Sequence, residues 1–216
     1  MAKQFTFTEE QKEAIKKAVQ NAESKTSGEI VPFFVAASDD YEESNLRAAI
    51  AFGLLGLGVA AVLSFNWHLP FVVTPWEVSL FGVVVSGLGY LLSKSLDVVK
   101  KIFTSSEIMQ QKVEERAVRE FLTHEVFNTE NRTGILILIS HFEHMVDVLG
   151  DSGINKKVNS EKWNEVVQLI IEGIKKNDPT SGIINGINKC GELLEASGVS
   201  KPAGNPNELS DDIRLG

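Results

Sequence analysis

At 216 residues the chain can hold one domain plus an anchor. Its 43% hydrophobic and 23% charged content excludes wholesale disorder and a fibrous repeat. A formal net charge of -8 argues against nucleic acid as the main partner, because phosphate contacts need a basic surface. Cys190 is the one cysteine, which excludes an internal disulfide and suits a reducing compartment.

Residues 1–21 are polar and lack the apolar core of a secretory signal, so none is expected. Thr8-Glu9-Glu10-Gln11 is a capping-box pattern. Ala14, Ile15, Ala18, Val19 and Ala22 follow at helical spacing and predict a helix over residues 9–23. Residues 24–28 read as a turn, and the apolar run at 29–37 reads as a buried strand. Pro32 cannot donate to a ladder and argues for an edge or a bulge there. A polar linker at 38–44 leads out of this segment.

The next block has a different composition. Residues 48–93 carry one charged side chain, Glu77, and no Lys or Arg. Residues 48–65 have no charge, and a helix of that length spans about 27 Å, close to a bilayer's hydrocarbon core. Residues 74–93 form a second apolar stretch. Asn66-Trp67-His68-Leu69-Pro70 lies between them, with Pro75-Trp76 behind, and Trp favours the membrane interface. The block therefore predicts a transmembrane hairpin of helices at 46–65 and 74–93. A helical hairpin buried in a soluble core is the alternative, but such long helices would carry a polar stripe. Gly56-x-x-x-Ala60 and Gly82-x-x-x-Ser86 offer small residues one turn apart for close helix packing. The connecting loop has no Lys or Arg, whereas Arg47, Lys94, Lys100, Lys101 and Lys112 flank the block. The positive-inside rule places both termini and the soluble domain in the cytoplasm, at a cell membrane of bacterial type if the source is prokaryotic.

Residues 95–103 continue the helix or lie along the bilayer surface. Thr104-x-x-Glu107 is a second capping-box pattern, and Ile108, Val113, Ala117, Phe121, Leu122 and Val126 predict a helix to about residue 127. Gly134-Ile-Leu-Ile-Leu-Ile-Ser140 reads as a central strand, 144–149 as a strand paired with it, and 150–153 as a turn. Trp163, Val166, Val167, Ile170, Ile171 and Ile174 predict an amphipathic helix that Asp178-Pro179 stops. Ile183, Ile184, Ile187 and Leu194 mark a last helix ending near Gly198. Residues 199–216 read as a loosely packed tail.

Residues 1–45 hold too little to bury a core, and residues 94–198 lack a partner at one sheet edge. The hairpin at 46–93 returns the chain to the same side, so the two pieces are expected to join into one α/β domain. Residues 29–37 are then expected to pair with 134–140.

The residues also resemble a known family. Thr26-Ser27-Gly28-Glu29-Ile30-Val31 resembles the first strand of the TPM domain family. Arg132-Thr133 and the strand to Ser140 resemble its central strand, and Gly150-Asp151-Ser152-Gly153-Ile154 with Trp163 resembles its next turn and helix. Gly182-Ile183 through Cys190-Gly191-Glu192-Leu193-Leu194, followed by Pro206-Asn207-Glu208-Leu209, resembles the end of a membrane-bound branch. The resemblance implies a three-layer α/β/α sandwich, here interrupted by the inserted hairpin. The family includes a thylakoid-lumen phosphatase-like protein, a photosystem repair factor and an accessory subunit of a nematode acetylcholine receptor, and some members bind calcium. The lack of an export signal separates this chain from the exported members.

Candidate ligands gather at His141-Phe142-Glu143-His144, with Asp147 and Asp151. A regular strand would place His141 and Glu143 on one face and His144 on the other, so two-histidine zinc ligation would need a bend. Asp151 follows a strand and lies beside Gly150, where ligands collect in α/β proteins, although such residues also cap turns. Glu29, or Asp39 and Asp40 at the far end of that strand, could add a carboxylate. Asp151, Glu29, Glu143 and Asp147 are the candidate ligands for Ca2+ or Mg2+, with no EF-hand spacing. There is no Walker loop. Cys190 lies in a predicted helix without an Arg-bearing loop after it, which is unlike a cysteine phosphatase. Ser140 and Ser152 are nucleophile candidates by proximity alone. The expected function is a membrane-anchored interaction or accessory module that meets the lipid bilayer and a protein partner. A metal-dependent phosphatase is the alternative.

Overall fold

The computed structural model describes residues 6–64, 74–201 and 206–216. Residues 40–108 form one compact unit, and residues 6–39 with 109–216 form the other.

The larger unit opens with α1 (Glu9–Glu23), whose Thr8 and Gln11 form the expected reciprocal cap. Strand β1 (Glu29–Val35) pairs in parallel with β2 (Gly134–Ser140), in register from Glu29 opposite Gly134 to Val35 opposite Ser140. The two apolar runs meet across about a hundred intervening residues, as the sequence predicts. Strand β3 (Met145–Gly150) runs antiparallel along the other side of β2. A short β4 (Arg214–Leu215) pairs in parallel with β1, giving the order β3-β2-β1-β4.

Side-chain alternation divides the core into two layers. Ile30, Phe34, Ile135, Ile137 and Ile139 face α1, α7 (Trp163–Lys175) and α8 (Pro179–Ala196). Val31, Phe33, Val35, Leu136 and Leu138 face Val113 and Ala117 of α5 (Ser106–Thr123). Both central strands are buried at every position, so they need apolar residues on both faces. Helices α7 and α8 cross in near backbone contact. A Cβ on Gly182 would lie 2.8 Å from the Gly173 Cα.

Several expectations need correction. The C-terminal residues are not a loose tail: Ile213 and Asp211 are buried and β4 extends the sheet. Two residues are too few to show a strand period. β1 is a central strand, but Pro32 itself has β2 alone beside it, so the expected edge holds at that residue. The Glu29 N–H donates to the Thr133 carbonyl on the β2 side, and alternate residues of a strand point to opposite sides. Pro32 therefore points toward β4, which begins opposite Phe33 and leaves its missing donor uncalled for. Thr104 does not cap α5; the Ser105 hydroxyl accepts from the Ile108 N–H at 3.3 Å. Asp178-Pro179 starts α8 rather than only ending α7, since the Asp178 carboxylate accepts the Ser181 N–H at 3.1 Å and Pro fits the first helical position.

The other unit is built on α2 (Glu42–Ser64) and α3 (Pro75–Ser95), both long and apolar enough to cross a membrane. They pack as an antiparallel hairpin, with Asn45 bonded to Ser93 at 2.9 Å and Gly53 facing Ser86. Gly56, Ala60 and Gly82 lie buried in the helix pair, the place the small-residue spacing implied. A Cβ on Gly89 would come within 3.0 Å of the Ala48 carbonyl oxygen, so the helices touch backbone to backbone. Only 22% and 17% of their most apolar windows is buried, unlike a helix in a soluble core. Leu54, Val83 and Leu91 face outward, and Leu57 is partly exposed while it packs on Gly82. Glu77, the single charge of the block, accepts the Thr74 N–H and hydroxyl at 2.8 and 2.7 Å and caps α3. The expected loop at 66–70 lies outside the described residues. A short α4 (Asp97–Ile102) follows α3.

Candidate functional site

In α/β folds, ligands collect at the carboxyl ends of parallel strands. Here that edge carries Ser38, three residues beyond β1, and Ser140, the last residue of β2. Residues 141–144 form a tight turn into β3, with His144 at φ 56°, and not the strand start expected at 144. The turn supplies the bend that a regular strand lacks, and the His141 and His144 rings stand 6.0 Å apart.

The same turn drives Glu143 inward. One carboxylate oxygen accepts the Ser38 N–H at 2.9 Å, and the other accepts the Ser140 hydroxyl. The Ser38 hydroxyl donates to the Ser140 oxygen at 3.1 Å. A hydroxyl–hydroxyl–carboxylate chain has the polarity of an activated nucleophile. Ser140, however, is 0% exposed, Ser38 5% and Glu143 6%, so no phosphate ester can reach the hydroxyl. The chain ties the ends of β1 and β2 to the turn. Asp39, next along, pairs with Lys112 of α5 at 3.4 Å.

Asp151 stands at the opposite edge. Its N–H donates to the Gly134 carbonyl, and its carboxylate caps α6 (Ser152–Asn155) by accepting the Ser152 N–H at 2.6 Å. Arg132 pairs with the second oxygen at 2.8 Å. Glu29 shares this edge but turns toward the C-terminal segment, accepting the Glu208 and Leu209 N–H groups at 3.3 and 3.1 Å. Burial pushes its carboxyl pKa up against the pull of those two bonds. Asp147 lies mid-strand on β3, beside a surface cavity of about 240 Å3 that Gln110 and Glu114 also line. Burial, and then the Glu114 charge, raise its pKa.

The four candidate ligands thus occupy both strand ends and a strand middle, and three of them are spent on backbone, hydroxyl or guanidinium partners. Among the described residues no group of three or more His, Cys, Asp or Glu is arranged to hold a metal ion. Spread over both strand ends and a strand middle, these four carboxylates cannot share one calcium ion, which takes six to eight oxygens. Cys190 is wholly buried in α8, and burial drives its thiol pKa up, so it is no nucleophile.

One acidic group escaped the sequence reading. Glu23, at the end of α1, is buried and accepts the Ile30 N–H at 2.7 Å. Glu29 and Asp211 are its buried acidic neighbours, and Asp211 accepts from Gln20 and Asn207 at 2.9 and 2.8 Å. Burial first, then these two charges, push Glu23 up to about 8. Together these carboxyls clamp the segment leading to β4 onto α1 and β1. Isolated carboxylates in polar stretches look like solvated surface, and no spacing in the sequence marks them as buried.

Comparison with known proteins agrees with this architecture. Residues 93–193 match the model of the TPM domain family. That range starts in the last turn of α3 and leaves out α1 and β1. The fold is similar to the NMR structure of BA42 protein from the psychrophilic bacterium Bizionia argentinensis, with a TM-score of 0.60, 20% identity and 100% of each chain covered. No curated protein matches the sequence.

Proposed function

From the TPM domain carried by residues 93–193, we propose that the chain is a membrane-anchored interaction or accessory module. The observation that carries this reading is the hairpin. Gly53, Gly56, Ala60, Gly82 and Gly89 are buried in the helix pair and Asn45 is bonded to Ser93, while Leu54, Leu55, Val83 and Leu88 are more than half exposed. That is the pattern of a helix pair solvated by lipid. The larger unit supports a binding role over catalysis. Its best hydroxyl–carboxylate pair is sealed, and its candidate metal carboxylates already serve the fold. The basic residues Arg47, Lys94, Lys100, Lys101 and Lys112 favour cytoplasmic termini and cytoplasmic or membrane-embedded protein partners.

Two measurements test the reading. In intact cells, His68→Cys should react with an impermeant thiol reagent and Ser210→Cys should not. The reverse pattern would move the domain to the other side of the membrane. The detergent-purified chain should not hydrolyse a generic phosphate ester with or without calcium or magnesium. Metal-dependent turnover lost in Asp151→Ala would establish the phosphatase reading instead.

A further inference from the structure

Helix α4 is distinct from α3. Leu96 takes an extended conformation, φ -118° and ψ 110°, which ends α3 and starts α4 on a new axis. One side of α4 and the residues after it are held by the start of α2. Lys100 Nζ donates to the Asp40 carbonyl at 2.9 Å. The Thr104 hydroxyl bonds that of Ser44 at 2.8 Å, and the Phe103 and Phe52 rings lie 6.4 Å apart. At about 100° per residue, Lys100 and the Val98–Ile102 pair project from opposite sides. Val98 is 74% exposed and Ile102 72% exposed, more than any hairpin leucine or valine. Their helix follows the end of the hairpin marked by Asn45 and Ser93, where Arg47 donates to the Phe103 carbonyl at 3.5 Å, and Lys101 borders their face.

We propose that α4 lies in the plane of the membrane, with Val98 and Ile102 inserted at the headgroup–acyl boundary of a phospholipid bilayer. This inference rests on the membrane reading of α2 and α3. Three observations select lipid as the occupant. The exposed pair follows directly on the outward apolar surface of the hairpin along the chain, it sits at the end of the spans, and Lys101 borders it while Lys100 is turned to the inner side, which leaves one apolar face for the headgroup–acyl boundary. The inner contacts hold α4 beside α2, so it cannot swing away from the bilayer surface without losing them.

The test uses the full chain in vesicles of phosphatidylcholine and phosphatidylglycerol, with nitroxide labels at Val98→Cys or Ile102→Cys. Leu88→Cys in the span and Gln168→Cys on α7 are references, and the wholly buried Cys190 stays unlabelled. Relaxation by oxygen over relaxation by a polar nickel chelate reports depth. The expected ratios at Val98 and Ile102 lie between those at Gln168 and Leu88. A Leu88 label deep in lipid with Val98 and Ile102 as aqueous as Gln168 overturns the α4 proposal and leaves the hairpin reading intact. Labels at 98 and 102 shielded from both reagents indicate a protein cover, which also overturns it. An aqueous Leu88 label refutes the membrane reading, and α4 falls with it.

Discussion

Glu23→Gln separates a buried titrating carboxyl from its shape. In the folded chain Glu23 faces Glu29 on β1, Asp211 in the C-terminal segment and the Cys190 thiol on α8, with the Lys201 ammonium bonded to its own carbonyl. The folded state holds a proton on Glu23 up to about pH 8, against an ordinary carboxyl value of 4.5 in the unfolded chain. Between those limits only the folded state binds this proton, so its contribution is complete below the lower limit and drains away as pH rises through the upper one. Each pH interval of one is worth about 1.4 kcal/mol, which gives a ceiling of about 5 kcal/mol across the window. Gln keeps an acceptor for the Ile30 N–H and presents an amide donor where the proton pointed at Asp211. The variant should match the parent near about pH 5 and exceed it in stability near about pH 9. Urea unfolding in mild detergent, followed by circular dichroism at both pH values, reads the difference, because the hairpin helices stay folded in micelles. An equal gap between variant and parent at the two pH values would refute the burial of a titrating Glu23.

Gly182→Ala should cost about 1–3 kcal/mol by forcing α7 and α8 apart, read as a lower urea midpoint with an unchanged slope. Glu143→Ala should cost about 1–3 kcal/mol for each buried donor left without an acceptor, and a cycle with Ser140→Ala should show coupling, whereas simple additivity would break the proposed lock. Asp151→Ala should lose about 0.5–2 kcal/mol as a helix cap. Excess calcium or magnesium should leave the midpoint of the parent chain unmoved, and a metal-induced rise that Asp151→Ala abolishes would restore Asp151 as a ligand.

What was legible in the sequence follows from period and length. The Ile–Leu alternation of β2 and the heptad-like spacing of α7 each bury a long face, so their patterns survive reading without coordinates. The β1–β2 pairing was legible because neither fragment could close a core alone. β4 was not, because Arg214 and Leu215 are too few to alternate and their partner lies far away in sequence. The candidate site was misjudged for a related reason. The sequence left Glu29 and the Asp39–Asp40 pair open as neighbours of Asp151; Glu29 is the one at its sheet edge, but side-chain direction depends on Arg132 and on the returning residues 208–209, which no local pattern encodes. The Glu143 turn failed through the choice of strand over turn at residues 141–144, where His144 takes a left-handed conformation.

The strand order β3-β2-β1-β4 also dictates a timetable for biosynthesis. β1 leaves the ribosome first, but its partner β2 follows about a hundred residues later, after both apolar helices. At about 5–20 residues per second, β1 waits roughly 5–20 s with both hydrogen-bonding edges open. Its sequence, Glu-Ile-Val-Pro-Phe-Phe-Val, is among the most aggregation-prone of the chain, and Pro32 is the one residue in it that denies a donor to a stray strand. On the side where β4 later docks, that proline acts as a guard during the nascent interval and costs nothing once the sheet is complete.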